Sequence, residues 1–454
     1  MTTVNAPIRY PDVASPKVMT ARAWVLVVLN FVLPGSAQVL AGSRRLGRFG
    51  LACTLGLVGL AIVAGLVYLI WPQVIFSIFT NEWSLWAVQI LLVAYAVLWV
   101  ILALDTLRLV RLVRTRPKAR GWIAAFTTVL LVLFAGGAGY GAYLVNVTRD
   151  TVASIFAVQA NAEPPVDGRY NILLLGGDAG ADRDGLRPDS ITVVSIEADT
   201  GRATMIGVPR DLQQVPFPEG SPLIGSDFDE NGTGVYDCGS DCQISFLYPR
   251  VEAYDEYRAL YPNAEAEGSS PGIEATKDAV EGALGITIQY YVLIDMQGFA
   301  QLIDALGGVD INVTERLPIG GDENLEQVEG WIEPGLQHMD GTTALWYARS
   351  RHSTSDYDRM SRQRELQTAI LTQFQPANVL SKFQGIAQAG ADVVKTDVPQ
   401  STLAYFLDLA LKTKDLPIDN VELVPPLIDP EDPDWATVRQ SVTDALVLSS
   451  SKTQ

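Results

Sequence analysis

The chain has 454 residues, is 48% hydrophobic and carries a formal charge of −18, an average that conceals two opposite regions. Residues 1–149 hold 13 Lys and Arg against only Asp12, Glu82 and Asp105, a formal +10; residues 150–454 hold the other 20 basic and 48 acidic side chains, a formal −28. So acidic a region repels nucleic acid phosphates, and with no extended basic stripe or helix-turn-helix pattern it excludes a nucleic-acid-binding role.

Four apolar stretches fill the first region, roughly 23–42, 47–71, 84–104 and 121–145, each near the ~20 residues that span hydrocarbon. A cleaved signal peptide has one short apolar core, so this is expected to be a retained membrane region. Arg44, Arg45 and Arg48 follow the first stretch, and Arg108, Arg111, Arg114, Arg116, Lys118 and Arg120 follow the third; the positive-inside bias puts both loops on the cytoplasmic side. The connection from Pro72 to Trp83 lacks Lys and Arg and is flanked by Trp71, Trp83 and Trp86, as an outer interface would be. Four full crossings would carry Arg9, Lys17 and Arg22 outside. The first stretch is interrupted by Asn30, Pro34, Gly35, Ser36 and Gln38, so a re-entrant hairpin with three crossings is favoured over four. Gly136, Gly137, Gly139 and Gly141 in the last stretch would permit close helix contact, or are small residues in an ordinary anchor. The expected organisation is a cytoplasmic tail (1–22), a multi-pass membrane region (23–148), a linker (149–168) and an extracellular domain at the cell membrane.

In that domain YNILLLGG is an apolar run ended by glycines. SITVVSIEA alternates as a strand does, and ATMIGVP follows the turn residues Asp199, Thr200 and Gly201, which predicts a hairpin. QYYVLID and VDINV add strands, and helical periodicity appears over 274–284, 296–306, 359–375, 400–412 and 434–447. This alternation predicts an α/β sandwich with a central mixed sheet, its core over 169–375 and a C-terminal α/β part over 376–454. The segment Gln213 to Ser270, rich in Gly, Asp and Pro, reads as a long loop or insertion. Within it DFDENG sets Asp227, Asp229 and Asn231 at alternate positions with Gly232 sixth, like the start of a calcium loop; the twelfth position is Cys238 instead of the bidentate Glu, which disfavours calcium. Cys238 and Cys242 sit close in a polar loop where a disulfide could persist; His338 and His352 lie elsewhere, so no zinc site is expected.

Five basic residues crowd into YARSRHSTSDYDRMSRQRE. If LWYARSR is a strand, Arg349 and Arg351 share a face; if a helix begins near Asp358, Arg359 and Gln363 align at i, i+4. Guanidinium forks suit phosphate oxygens, although Arg362 and Arg364 could instead pair with Asp358, Glu365 or solvent. A second arm starts at Asp178, which ends the first strand in LLGGDAG, and Asp189, which opens the second in LRPDSI, two residues after Arg187; Arg210 closes the third. Carboxylates on neighbouring strand ends can share one hard divalent cation.

The succession NILLLGGD, RPDSITVVSI, IGVPRD, YYVLIDMQGFAQLIDALGGVDINV, GLQHMDGTTALWYARSRH and DRMSRQRE, over about residues 169–375, resembles the LytR-CpsA-Psr family. The resemblance implies a domain that binds a polyprenyl-pyrophosphate-linked glycan, its lipid tail in an apolar groove, and transfers the glycan to a peptidoglycan hydroxyl. It assigns Asp178 and Asp189 to Mg2+, for which Mn2+ could substitute, and Arg187, Arg210, Arg349, Arg351, Arg359 and Gln363 to the pyrophosphate. The expected catalytic set is Arg210, Asp211, Arg349 and Arg351, with Asp211, Asp356 and Asp358 as candidate bases. Phe299, Leu302, Ile303, Leu306, Leu366, Ile370 and Phe374 are candidates for a lipid groove or for ordinary core. A pyrophosphatase acting on the same carrier, or a non-catalytic surface regulator, is the alternative. Gly177 and Pro188 stand where the family commonly has Ser, and Ser190 where Thr is common, changes that touch loop shape more than charge.

Overall fold

A computed structural model describes residues 8–156, 162–178, 187–238, 242–322, 324–350, 355–373 and 394–451. The chain divides into two compact units, Met1–Arg149 and Asp150–Gln454.

In the first unit, α1 (Pro16–Val32) ends just before Pro34 and Gly35, and α2 (Ser36–Ala41) follows. Gly35 takes φ 96° at this break, a conformation that favours glycine. Arg22 of α1 donates to the Leu109 carbonyl at 2.7 Å, and farther along α1 the Phe31 ring meets Phe134 at 5.0 Å. The chain then returns. Gln38 of α2 donates to the Leu102 carbonyl and to Thr106, both at 2.9 Å, and Gly42 lies against the Leu109 side chain. The helix pair therefore begins and ends beside Leu109. Next come α3 (Arg44–Ile70), α4 (Pro72–Thr80), α5 (Glu82–Val110) and α6 (Pro117–Ile155). Among the described residues three helical stretches are long and apolar enough to cross a membrane: Arg44–Ile70, Glu82–Arg114 and Pro117–Ala153. A Cβ built at Gly136, Gly137 or Gly139 meets nothing within 4 Å; these glycines make no close helix contact.

In the second unit β1 (Arg169–Asp178), β2 (Arg187–Glu197) and β3 (Ala203–Val208) form an antiparallel meander. Next come β4 (Val215–Pro216), β5 (Val235–Tyr236), α7 (Ile244–Ala253), α8 (Asp255–Arg258), α9 (Pro271–Leu284), β6 (Tyr290–Asp295) and α10 (Met296–Leu306). Then follow β7 (Val309–Val313), β8 (Leu317–Gly320), β9 (Val328–Ile332), β10 (Gly335–Met339), α11 (Gly341–Arg349) and α12 (Asp356–Gln373). The chain closes with β11 (Val394–Thr396), α13 (Leu403–Thr413), β12 (Asp419–Glu422) and α14 (Trp435–Ser451). The central sheet has the order β11-β6-β1-β2-β3-β12. It is mixed, because β6 runs parallel to β1 and β12 parallel to β3.

Alternation along β1 sends Leu173 and Leu175 into the main core with residues of α7, α9 and α14. A second core gathers Ile303 of α10, Val309 and Ile311 of β7, Met339 of β10, Tyr347 of α11 and Leu366 of α12. Of the groove candidates, Ile303 and Leu366 are buried in this second core, with Phe299 and Ile370 packed against it. Core is the reading the structure supports for these four; Phe374 lies outside the described residues.

Two expectations need correction. The segment Gln213 to Ser270 is not simply a long loop: it carries β4, β5, α7 and α8, and Leu223, Phe228, Tyr236, Ile244, Leu247, Tyr248 and Val251 are all buried in the main core. Residues 345–349 of LWYARSR are not a strand but the C-terminal half of α11, because Asp340 accepts the Thr343 amide at 2.8 Å as an N-cap, a contact that outweighs the β-preference of its aromatic residues. Gly341 allows the tight crossing with α10, since a Cβ there would sit 1.9 Å from the Ala300 carbonyl oxygen.

Candidate active site

The meander carries Asp189, at the start of β2, and Arg210, just past the end of β3, to the same end of the sheet. Arg210 Nη1 donates to Asp189 Oδ1 at 2.6 Å, while its Nε and Nη2 donate to Asp356 Oδ2 and Oδ1 at 3.2 and 3.4 Å. Asp356 opens α12, and Arg359 Nη2, three residues on, donates to it at 2.9 Å. The result is a chain of alternating charge, Asp189–Arg210–Asp356–Arg359, across the gap between sheet and helix. Gln363 joins Asp189 and Arg210 in lining that crevice and donates to the Ala348 carbonyl at 3.2 Å. The α12 N-terminus is held by reciprocal bonds: Asp358 Oδ2 accepts from the Ser355 amide and hydroxyl, and the Asp358 amide donates to Ser355 Oγ.

Burial works against the Arg210 charge, but Asp356 and Asp189 outweigh it and hold its pKa above the ordinary value. Burial raises the Asp211 carboxyl; nearby Asp356 adds to this, and Arg210 and Arg359 oppose it. Asp358 is held below the usual carboxylate range by the Ser355 hydroxyl and amide.

Of the residues singled out in the sequence, Asp189, Arg210, Asp356, Arg359 and Gln363 come together. Arg187 pairs in register with Asp178 and its guanidinium lies 4.1 Å from the Phe246 ring centre. The Asp178 backbone ends β1; Arg351 lies outside the described residues. Arg349 is exposed at the end of α11, 5.7 Å from the Trp346 ring centre. The other two arginines of the basic run are structural. Arg362 donates to the Tyr347 carbonyl at 3.1 Å, to the Ser350 carbonyl and to Glu315, and buried Arg364 pairs with Glu422 across Gly207, where a Cβ would meet its guanidinium.

Cys238 and Cys242 are joined by a disulfide just before α7. The calcium-like loop is organised otherwise: Asp229 is buried and accepts backbone N–H groups from Gly225, Thr233 and Gly234. A carboxylate so occupied is not a cation ligand. No group of three or more metal-ligating side chains occurs among the described residues. Helix α7 is absent from the sequence expectations although its signal is present: Ile244, Leu247, Tyr248 and Val251 follow the i, i+3, i+4, i+7 period of a buried helix face.

The LytR_cpsA_psr family profile matches residues 143–425. The polyisoprenyl-teichoic acid–peptidoglycan teichoic acid transferase TagU of Halalkalibacterium halodurans is 26% identical over 296 residues, covering 62% of this chain and 79% of the relative. The cell wall biosynthesis protein LcpA of Corynebacterium glutamicum is 28% identical over 266 residues, 54% of this chain and 48% of its own length. Among solved structures, TagV of B. subtilis is 20% identical and spans 62% of this chain and 97% of its own, with a TM-score of 0.43. The profile takes in more than half of the chain, including both strand-end residues and the arginines of α12, and the chain belongs to the LytR-CpsA-Psr family.

Proposed function

We propose that this protein is a membrane-anchored transferase that joins a polyprenyl-pyrophosphate-linked glycopolymer to peptidoglycan. Family membership and the relatives named as teichoic acid transferases support the reaction class. The observation that carries it onto this chain is the alternating chain Asp189–Arg210–Asp356–Arg359, which links a crevice lined by the strand-end carboxylate and Arg210 to the first turn of α12.

In this reading the acceptor hydroxyl forms a bond to the sugar-proximal phosphorus, the phosphoanhydride bond breaks, and polyprenyl phosphate leaves. Arg210 and Arg359, with Arg187, Arg349 and Arg351 as further donors, neutralise the phosphate oxygens as charge moves onto the leaving group. Gln363 donates a neutral hydrogen bond at the same crevice. Asp211, whose carboxyl is raised by burial beside Asp356, is the base we favour for the acceptor proton; Asp358 is committed to Ser355. Asp189, whose carboxylate is partly exposed, together with Asp178, suits a hard cation that keeps its remaining sites for water and phosphate. Mg2+, or Mn2+, held there would supply further charge neutralisation on the pyrophosphate.

For the anchor we propose three crossings with the α1–α2 hairpin inserted from the cytoplasmic side and the acidic unit outside the cell. The cationic loops after α2 and α5 support this direction, and a reporter fused at the N-terminus is expected to read as cytoplasmic.

The reaction is tested with the full chain in lipid nanodiscs, a polyprenyl-pyrophosphate glycan, wall fragments and Mg2+. Wild type is expected to attach glycan to the fragments, and Arg210→Ala to lose about 100-fold or more in turnover. Release of free phosphorylated glycan, with none attached, would make it a pyrophosphatase instead.

A further inference from the structure

Helix α7 begins against the reaction crevice. The Ile244 amide donates to the Leu212 carbonyl at 2.9 Å and the Ser245 amide to the Arg210 carbonyl at 3.1 Å, so the first turn of α7 is bonded to the segment that carries Arg210. From this turn two side chains reach Arg187. Ser245, fully buried, has its Oγ 3.4 Å from Arg187 Nη2, and the half-buried Phe246 presents its ring face 4.1 Å from the guanidinium carbon. Arg187 also stands at the first position of β2, two residues before Asp189.

We propose that Phe246 and Ser245 are positioning residues that hold the Arg187 guanidinium flat at the strand end, ready to meet a phosphate oxygen. An arginine side chain has large rotamer freedom, and ordering it costs binding energy unless that order exists beforehand. A ring within about 6 Å of a guanidinium attracts it through the ring quadrupole, and it packs on the face of the guanidinium, not on the edge where the N–H donors lie. The hydroxyl of Ser245 fixes rotation in that plane. The base of the helix is itself restrained, since Cys242, two residues before Ile244, is bonded to Cys238, and Arg250 on the next turns donates to Cys238 Sγ at 3.5 Å. Ile244 and Leu247, on either side of the pair, are fully buried, so the helix cannot roll without opening the core.

This inference rests on the pyrophosphate-binding reading, and the test separates the two. Full-length protein in nanodiscs is assayed for binding and turnover of a radiolabelled polyprenyl-pyrophosphate glycan. The variants are Arg187→Ala, Phe246→Leu, Phe246→Trp and Ser245→Ala, each with its thermal unfolding midpoint measured. Phe246→Leu keeps apolar bulk but removes the quadrupole; it is expected to raise KM about threefold to tenfold with kcat little changed, at an unfolding midpoint near wild type. Phe246→Trp, a stronger cation–π partner, should restore KM, and Ser245→Ala should fall between. Phe246→Leu in an Arg187→Ala background should add nothing further. If Arg187→Ala binds as wild type does, the pyrophosphate reading of Arg187 fails and this inference with it. If Arg187→Ala weakens binding while Phe246→Leu leaves KM unmoved, or acts equally with Arg187 absent, the positioning role alone is overturned.

Discussion

The two units of this chain bury opposite things. In Asp150–Gln454 the interior is aliphatic and aromatic, and the few buried charges are matched: Arg364 with Glu422, Arg362 with two carbonyls and Glu315. In Met1–Arg149 apolar side chains cover the outside, with Leu69, Ile70 and Trp83 at 78%, 64% and 80% exposure, whereas Arg22, Asn30, Gln38, Thr54 and Thr106 are inside. One rule gives both results: each unit turns outward what its surroundings solvate, and polar groups removed from water must find partners within the protein. Tight glycines occur in both units: a Cβ at Gly35 or Gly47 would meet neighbouring backbone as a Cβ at Gly341 would, while one at Gly136, Gly137 or Gly139 would meet nothing within 4 Å.

That contrast can be broken. The largest effect is expected from Gly341→Ala, which drives a methyl group into the Ala300 carbonyl and should cost about 3 kcal/mol or more; Gly137→Ala, by the same reasoning, should leave unfolding within about 0.5 kcal/mol of wild type. Chemical denaturation of the full chain compares them, and equal effects would mean that the α10–α11 crossing is not as tight as described. Next is Arg364→Met, which leaves Glu422 without its partner but keeps the apolar stem; about 2 kcal/mol should be lost. Its counterpart in the membrane unit, Gln38→Leu, removes the bonds to Leu102 and Thr106 and should cost about 1 kcal/mol, read as greater protease sensitivity of the α1–α2 hairpin.

A last effect is one of pH. Burial pushes Glu281 up to about 7 and Asp397 up to about 6. An acid whose folded pKa is raised gives stability that is complete below its unfolded value and is lost as pH rises through the folded one. The unfolding midpoint of the outer unit should therefore fall between about pH 5 and pH 7. Glu281→Gln, which keeps an acceptor for the Ile288 amide, should flatten that fall. A midpoint that rises over this range in wild type would show the carboxyls to be ionised at no cost.

Much of this was legible because period and charge are local. The meander from β1 to β3, the exact span of α10 and the break at Pro34 and Gly35 are all written in adjacent residues. So were the members of the charged chain, since Asp189, Arg210 and Arg359 end or open their elements. What stayed hidden depends on partners distant in sequence. The i, i+4 alignment in DRMSRQRE picks out Arg359 and Gln363 but does not say where the other arginines go: Arg362 closes on Tyr347, Ser350 and Glu315, and Arg364 on Glu422 of β12. In α11 a single capping Asp outweighed a strand-like composition. In α7 the apolar period sits in a segment whose Gly, Asp and Pro content equally suits a loop.

The sheet of the outer unit is assembled from pieces that leave the ribosome far apart. Its central hairpin is complete by Val208, yet the strands that close its two sides, β11 and β12, arrive only at residues 394–422, and α14, whose Val438 and Val442 are fully buried, comes later still. Until then β6 and β3 are unprotected edges, which other chains can pair with. A nascent or truncated chain that stops before α14 therefore carries an unfinished sheet. Folding of this unit is tied to strands and a helix made long after its central meander, and the burden of keeping its edges apart falls on whatever escorts the chain until they emerge.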